Sequence, residues 1–167
     1  MATRKGIALT AAIIGGFTAA SFLVYFVPSP PQSEVVRPND PGTELVFAMD
    51  RNRAIVDDFQ STFEMWKNNE VNKDGFAERA DVAVNQVKDL MLELRRSNVP
   101  EEWTQSYVLY IQALENYKTY FEKTKEYVNY ISAGNADPRQ SEALLNSISE
   151  ILTKAQSLAQ QSEDAMP

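Results

Sequence analysis

The chain contains no cysteine and no histidine. Their absence removes disulfides, the lipid-modified cysteine of bacterial lipoproteins and thiol nucleophiles. It also removes zinc held by Cys or His, the usual c-type haem attachment, His-ligated copper or di-iron centres, and imidazole acid–base catalysis. Neither a glycine-rich phosphate loop nor a serine in a nucleophile turn occurs. No Asn-x-Ser/Thr triplet is present, since Asn146-Ser147 is followed by Ile148, which argues against a heavily N-glycosylated ectodomain. No stretch shows a strand's apolar/polar alternation, so the expected class is all-α. Carboxylate pairs and Lys or Tyr chemistry remain for catalysis. However, Asp57-Asp58, Glu101-Glu102 and Asp81 fall on amphipathic stretches, where charges read as solvated faces. The chain is read as non-catalytic and without a resident cofactor.

The clearest positive feature is the uncharged run Ile7 to Val27, IALTAAIIGGFTAASFLVYFV. A hydrocarbon core about 30 Å thick needs roughly 20 helical residues, so this run is long enough to span a bilayer. Arg4 and Lys5 precede it and the next cation is Arg37, so the positive-inside rule puts residues 1–6 in the cytoplasm and everything after the span outside. A plasma-membrane, single-pass protein with an extracytoplasmic C-terminal domain is expected. A cleaved secretory signal competes through Thr18-Ala19-Ala20, but the run stays apolar to Val27, past the point where a signal turns polar. A pilin-type filament leader competes through Arg4-Lys5-Gly6, but Pro28, Pro30 and Pro31 would stop the helix at the membrane surface. Ala8, Ala12, Gly16 and Ala20 recur every four residues. Small residues at that spacing let helices pair in the membrane, with itself or with another envelope protein as the partner.

All 23 acidic residues follow the run, as do all of the 16 basic ones except Arg4 and Lys5, so the part beyond is more acidic than the net charge of −7. Such a surface repels nucleic acid and anionic headgroups and suits cations or basic partners. Residues 28–42 carry Pro28, Pro30, Pro31, Pro38 and Pro41 and read as a semi-rigid stalk. Residues 43–163 are enough for one domain with a single core, expected as an up-down-up-down four-helix bundle. Residues 164–167 would be a tail, with fraying from Gln160 onward.

Apolar residues mark the four helices. Leu45, Met49, Val56, Phe59, Phe63 and Trp66 keep a coiled-coil-like four-three spacing after a start near Thr43, interrupted by Asn52, which either sets register or lies at a wet edge. Asn72 to Gly75 is a turn signal, and Phe76, Ala80, Val84, Val87, Leu90, Met91 and Leu94 follow. A third helix, Pro100 to Ser132, carries Trp103, Tyr107, Tyr110, Leu114, Tyr117, Phe121, Thr124, Val128 and Ile131. Ala113, Tyr120 and Tyr127 widen its stripe, as suits a core helix touched on two sides; every tyrosine but Tyr25 lies here. Tyr120, Tyr127 and Tyr130 are the candidate partner surface if part of this aromatic face is exposed. Gly134 suits a left-handed helix end. Asp137-Pro138-Arg139-Gln140 suits a helix start with a capping box, followed by Leu144, Leu145, Ile148, Ile151, Leu152, Ala155, Leu158 and Ala159.

Residues 70–81 partly follow the calcium loop of EF-hands, with Glu70, Asn72, Asp74, Glu78 and Asp81 as candidate oxygen ligands and Gly75 at the sharp turn. Asp81 stands where a bidentate Glu is usual, and the loop has no partner loop. A plain helix–helix turn is therefore the better reading.

Lys5 to Ala12, running on to Val27-Pro28, and Val99-Pro100-Glu101-Glu102-Trp103-Thr104-Gln105-Ser106-Tyr107 together resemble a group of uncharacterised single-span proteins of ammonia-oxidising archaea. The resemblance covers the membrane run and the start of the third helix. It implies an archaeal plasma membrane with the helical domain beneath the surface layer, and it brings no catalytic residues. The function expected is a membrane-anchored interaction or scaffold protein of a cell-envelope assembly. The alternative is an extracytoplasmic module binding a divalent cation or a small apolar ligand.

Overall fold

A computed structural model describes residues 40–134 and 137–167. The run Ile7 to Val27, its small-residue face Ala8, Ala12, Gly16 and Ala20, and most of the proline-rich segment lie outside these residues. The described residues are all-helical, with α1 Pro41–Lys67, α2 Lys73–Arg96, a 3-10 turn Glu101–Trp103, α3 Thr104–Ser132 and α4 Pro138–Asp164. No described helix is long and apolar enough to cross a membrane.

Each start is set by a cap. α1 begins at Pro41 rather than near Thr43, because Asp40 Oδ2 accepts the Thr43 amide at 2.9 Å and a proline at the first position has no N–H to leave unpaired. In α2 the cap is Asn72, whose Oδ1 accepts the Gly75 amide at 2.8 Å. The turn therefore falls earlier than the Asn72–Gly75 signal, with Asn69 in the left-handed region at φ 62°. Gly134 is left-handed at φ 85°, as its place after α3 requires. At α4, Asp137 Oδ1 accepts the Arg139 amide at 2.9 Å. The expected capping box is replaced from α3. The Tyr130 hydroxyl accepts the Asp137 amide at 2.7 Å and donates to Gln140 Oε1 at 2.9 Å.

Consecutive helices pack side by side, α1 on α2, α2 on α3 and α3 on α4. Their polar contacts make each pair antiparallel. Arg51 pairs with Glu93 and Asp58 with Arg79, Lys125 with Asp81 and Glu115 with Arg95, while Ser106 and Ser162 interlock. One end of the bundle, here proximal, holds the start of α1 at Asp40, the end of α2, the start of α3 and the end of α4. The distal end holds the turns near residues 68–72 and 133–137.

The closest backbone approach is between α3 and α4. Ser106, Ala113, Tyr120 and Tyr127 on α3 and Ile148, Ala155 and Ser162 on α4 recur every seven residues and are all buried. With Ser162 seated on Ser106, the antiparallel heptad register sets Ala155 against Ala113 and Ile148 against Tyr120. Small side chains at the proximal end let the two backbones come together. α4 consequently stays helical to Asp164 instead of fraying from Gln160. Ser162 Oγ donates to the Ser106 carbonyl and Ser106 Oγ to the Ala165 carbonyl, both at 2.7 Å. Of the apolar residues expected inward on α4, Ile148, Leu152 and Ala155 are buried, and Leu144, Leu145, Ile151, Leu158 and Ala159 are half-buried.

The α1 and α4 backbones stay farther apart. Tyr110 and Tyr117 of α3 fill the space, with Arg53 of α1 and Glu163 of α4 both acting electrostatically on their hydroxyls. α3 therefore touches α1, α2 and α4. This explains a stripe wider than contact on two sides requires.

Candidate interaction surface

The aromatic face of α3 is where the sequence reading placed a partner surface. Tyr120 and Tyr127 are buried, and Tyr130 is half-buried and occupied with the start of α4. The Tyr120 ring lies 5.5 Å from Phe59 and 5.4 Å from Phe121, and the Tyr127 ring 6.3 Å from both Phe63 and Trp66. These residues do not gather into an exposed patch. They belong to a ring cluster that also contains Phe76. Their burial has a physical cause, since α1 and α4 both lean on the same side of α3.

The phenols are held protonated. Burial pushes Tyr117 and Tyr120 up to about 12, and Tyr107, Tyr110 and Tyr127 also upward. The carboxylate of Glu44 adds to the shift of Tyr107. A neutral phenol at this depth packs and donates one hydrogen bond. The Tyr107 hydroxyl lies 2.9 Å from the Pro41 carbonyl and 3.2 Å from Glu44 Oε2, and the Tyr110 hydroxyl donates to the Ala48 carbonyl at 3.3 Å. At the start of α1 the Asp40 carboxyl is held below its usual range, first by the Thr43 hydroxyl and then by the Thr43 amide.

The five candidate calcium ligands are spread out. Glu70 and Asn72 precede α2, whereas Asp74, Glu78 and Asp81 are carried by its first turns. Asn72 is committed to its cap, and Asp81 accepts Lys125 Nζ at 2.6 and 2.7 Å. A loop that wraps a cation must be unwound through most of its length, and here the helix starts at Lys73 because Asn72 caps it. Among the described residues no group of three or more acidic side chains is placed to hold a metal ion.

The sequence reading did not single out the large apolar side chains left at the surface. Val82, 56% exposed, stands apart in the distal half of α2, whereas Val46 and Phe47 on α1, Leu92 on α2 and Val108 on α3 are 45, 51, 47 and 47% exposed. All four lie within about two turns of the proximal helix ends, each on the side of its helix away from the buried residues. Trp103, half-buried, lies at the same end. Its indole covers the first turn of α1 so closely that a Cβ at Gly42 would come within 2.7 Å of the ring. Asp40, Glu44, Glu101, Glu102, Glu163 and Asp164 outnumber Arg95 and Arg96 at this end and make the tip acidic. The result is an apolar collar facing three directions above an acidic rim. A signal for it existed, because Val46, Phe47, Leu92 and Val108 are apolar residues that fall off the four-three seams.

No protein-family model, curated protein or solved structure matches this chain.

Proposed function

We propose that this chain is a non-catalytic, membrane-anchored protein whose bundle stands on the extracytoplasmic side and joins a cell-envelope assembly as an interaction or scaffold subunit. The observation that carries this reading is the proximal collar of Val46, Phe47, Leu92 and Val108. Exposed large apolar residues grouped at one level mark contact surfaces. The collar lies at the end of the bundle that holds Asp40, the first described residue. Collar residues facing three ways suit more than one neighbour, as a scaffold requires. The rim of Asp40, Glu44, Glu101 and Glu102 favours a neutral or basic protein over anionic headgroups. Under the same proposal the N-terminus is cytoplasmic, the small-residue face of the run pairs helices in the membrane, and the setting is an archaeal plasma membrane.

The test is extraction of native membranes in mild detergent, capture through the C-terminal tail, and measurement of the mass and composition of the captured species. A stoichiometric envelope protein is expected. Its amount should fall at least several-fold in a Phe47→Ser, Leu92→Ser double variant whose melting temperature is within a few degrees of the parent, since both side chains are surface groups. Recovery of a lone monomer would sink the reading.

A further inference from the structure

Among the described residues five polar side chains are buried: Asn52, Thr62, Ser106, Thr124 and Ser162. Four of them are satisfied. Thr62 and Thr124 donate to the carbonyls of Asp58 and Tyr120 one turn back, at 2.9 and 2.8 Å, and so depend on no other helix. Ser106 and Ser162 bond across the α3–α4 contact. Asn52 is the exception. It is 3% exposed, and among the described residues its Oδ1 is the buried side-chain atom without a hydrogen-bond partner.

Asn52 occupies a repeating core position. Leu45, Asn52, Phe59 and Trp66 recur every seven residues on α1, and the other three are large and apolar. A leucine would extend the seam without a break. The amide instead lies beside the Tyr110 hydroxyl of α3, whose single proton goes to the Ala48 carbonyl one turn earlier on α1. The phenol's proton is thus committed to the carbonyl, and Asn52 Oδ1 is left without a donor. A buried polar group kept at a cost in stability, in a row that repeats every heptad, is the pattern by which coiled coils select one register from several of similar energy. Sliding α1 by seven residues would leave its apolar rows facing apolar rows, but would carry the amide away from Tyr110 into ring packing. Of the other links that oppose a slide, Arg51 with Glu93, Asp58 with Arg79 and Ser97 with Glu44 lie at the surface, where water can replace them. The buried Tyr107 and Tyr110 hydroxyls bond backbone carbonyls, which recur along α1 in every register.

We infer that Asn52, read against the Tyr110 hydroxyl, selects the register of α1 on the rest of the bundle at the expense of stability. The chain has no native cysteine, so thiol pairs placed in the full-length protein report register without interference. Arg51→Cys with Glu93→Cys marks the observed register, because those side chains meet at 2.6 Å. Asp58→Cys with Glu93→Cys marks a slide of one heptad, since Asp58 lies on the same flank about 10 Å further along α1. With Asn52 present, a short thiol-to-thiol reagent should link only the first pair. In Asn52→Leu the melting temperature should rise by roughly 3–6 °C, and the second pair should link to at least a tenth of the extent of the first. A higher melting temperature with only the first pair linked would overturn the inference. So would a lower melting temperature, or failure of both Asn52→Leu and the unbranched Asn52→Met to fold, because the amide would then be a stabilising group.

Discussion

The distal and proximal halves of this bundle are held by different physics. Distally, Phe59 is surrounded by rings, with centroids 4.5 Å away for Phe121, 5.4 Å for Phe76 and 5.5 Å for Tyr120. Phe63 and Trp66 continue the cluster toward Tyr127. Proximally the core is aliphatic and phenolic, with Leu45, Leu90, Leu94 and Leu114 buried and the row of serine and alanine lying along the α3–α4 contact. Hydroxyl groups there reach across helices to carbonyls, from Tyr107 to Pro41, Tyr110 to Ala48, Ser106 to Ala165 and Ser162 to Ser106. Ser97 adds a hydrogen bond to Glu44 across α1 and α2. Dispersion between rings is strong but tolerant of small shifts, whereas a hydroxyl on a carbonyl specifies position and adds little energy. The distal half is packed mainly ring against ring, and the proximal half adds bonds that fix position. The collar of exposed apolar residues is at the proximal end.

This contrast can be broken most severely at Phe59. Phe59→Ala removes the ring at the centre of the cluster and should cost about 3–5 kcal/mol, read as a lower denaturant midpoint. A loss below about 1.5 kcal/mol would mean that the rings are not the main source of stability in the distal half. The next largest effect is alkaline. Tyr117 and Tyr120 are pushed from the ordinary phenol value up to about 12 in the folded chain, so their neutral forms favour folding below pH 10. That contribution is lost as pH rises from 10 to 12, by about 3 kcal/mol for each phenol. Stability should therefore drop across that window, with tyrosinate absorbance from the buried phenols appearing together with unfolding and not before it. The smallest effect belongs to the proximal half. Ser162→Ala should cost roughly 1 kcal/mol while shortening α4, detectable as faster amide exchange over residues 160–164. An unchanged exchange rate there would detach the serine pair from the end of the helix.

Much of the architecture was legible in the residues. Four-three spacing located all four helices, and Gly134, Asp137 and Pro138 marked the α3–α4 turn where it occurs. Boundaries moved where a side chain proved a better cap than expected, Asp40 before α1 and Asn72 before α2. The Pro100–Ser132 helix breaks near its start, since Glu101–Trp103 forms a 3-10 turn that lays Trp103 over Gly42. Ser162 was hidden because a serine near a chain end reads as polar and mobile, and its seven-residue spacing from Ala155 acquires meaning only against Ser106. Asn52 was legible as an anomaly, although its periodicity did not distinguish a buried position from a wet edge.

By itself the sequence determined the helical class, the period of each buried stripe, the exclusion of thiol and imidazole chemistry, and the acidity of everything after Val27. These are local or compositional properties, because helix periodicity and capping depend on residues within a turn or two of one another. The tertiary structure decided which arc of each stripe is covered. It turned Tyr120 and Tyr127 inward between α1 and α4, seated Asn52 beside Tyr110, and left Val46, Phe47, Leu92 and Val108 uncovered at one level. Exposure depends on which neighbours stand on each side of a helix and how closely they approach. That distance is set by pairs such as Ser106 with Ser162, far apart in the chain and meaningful only together.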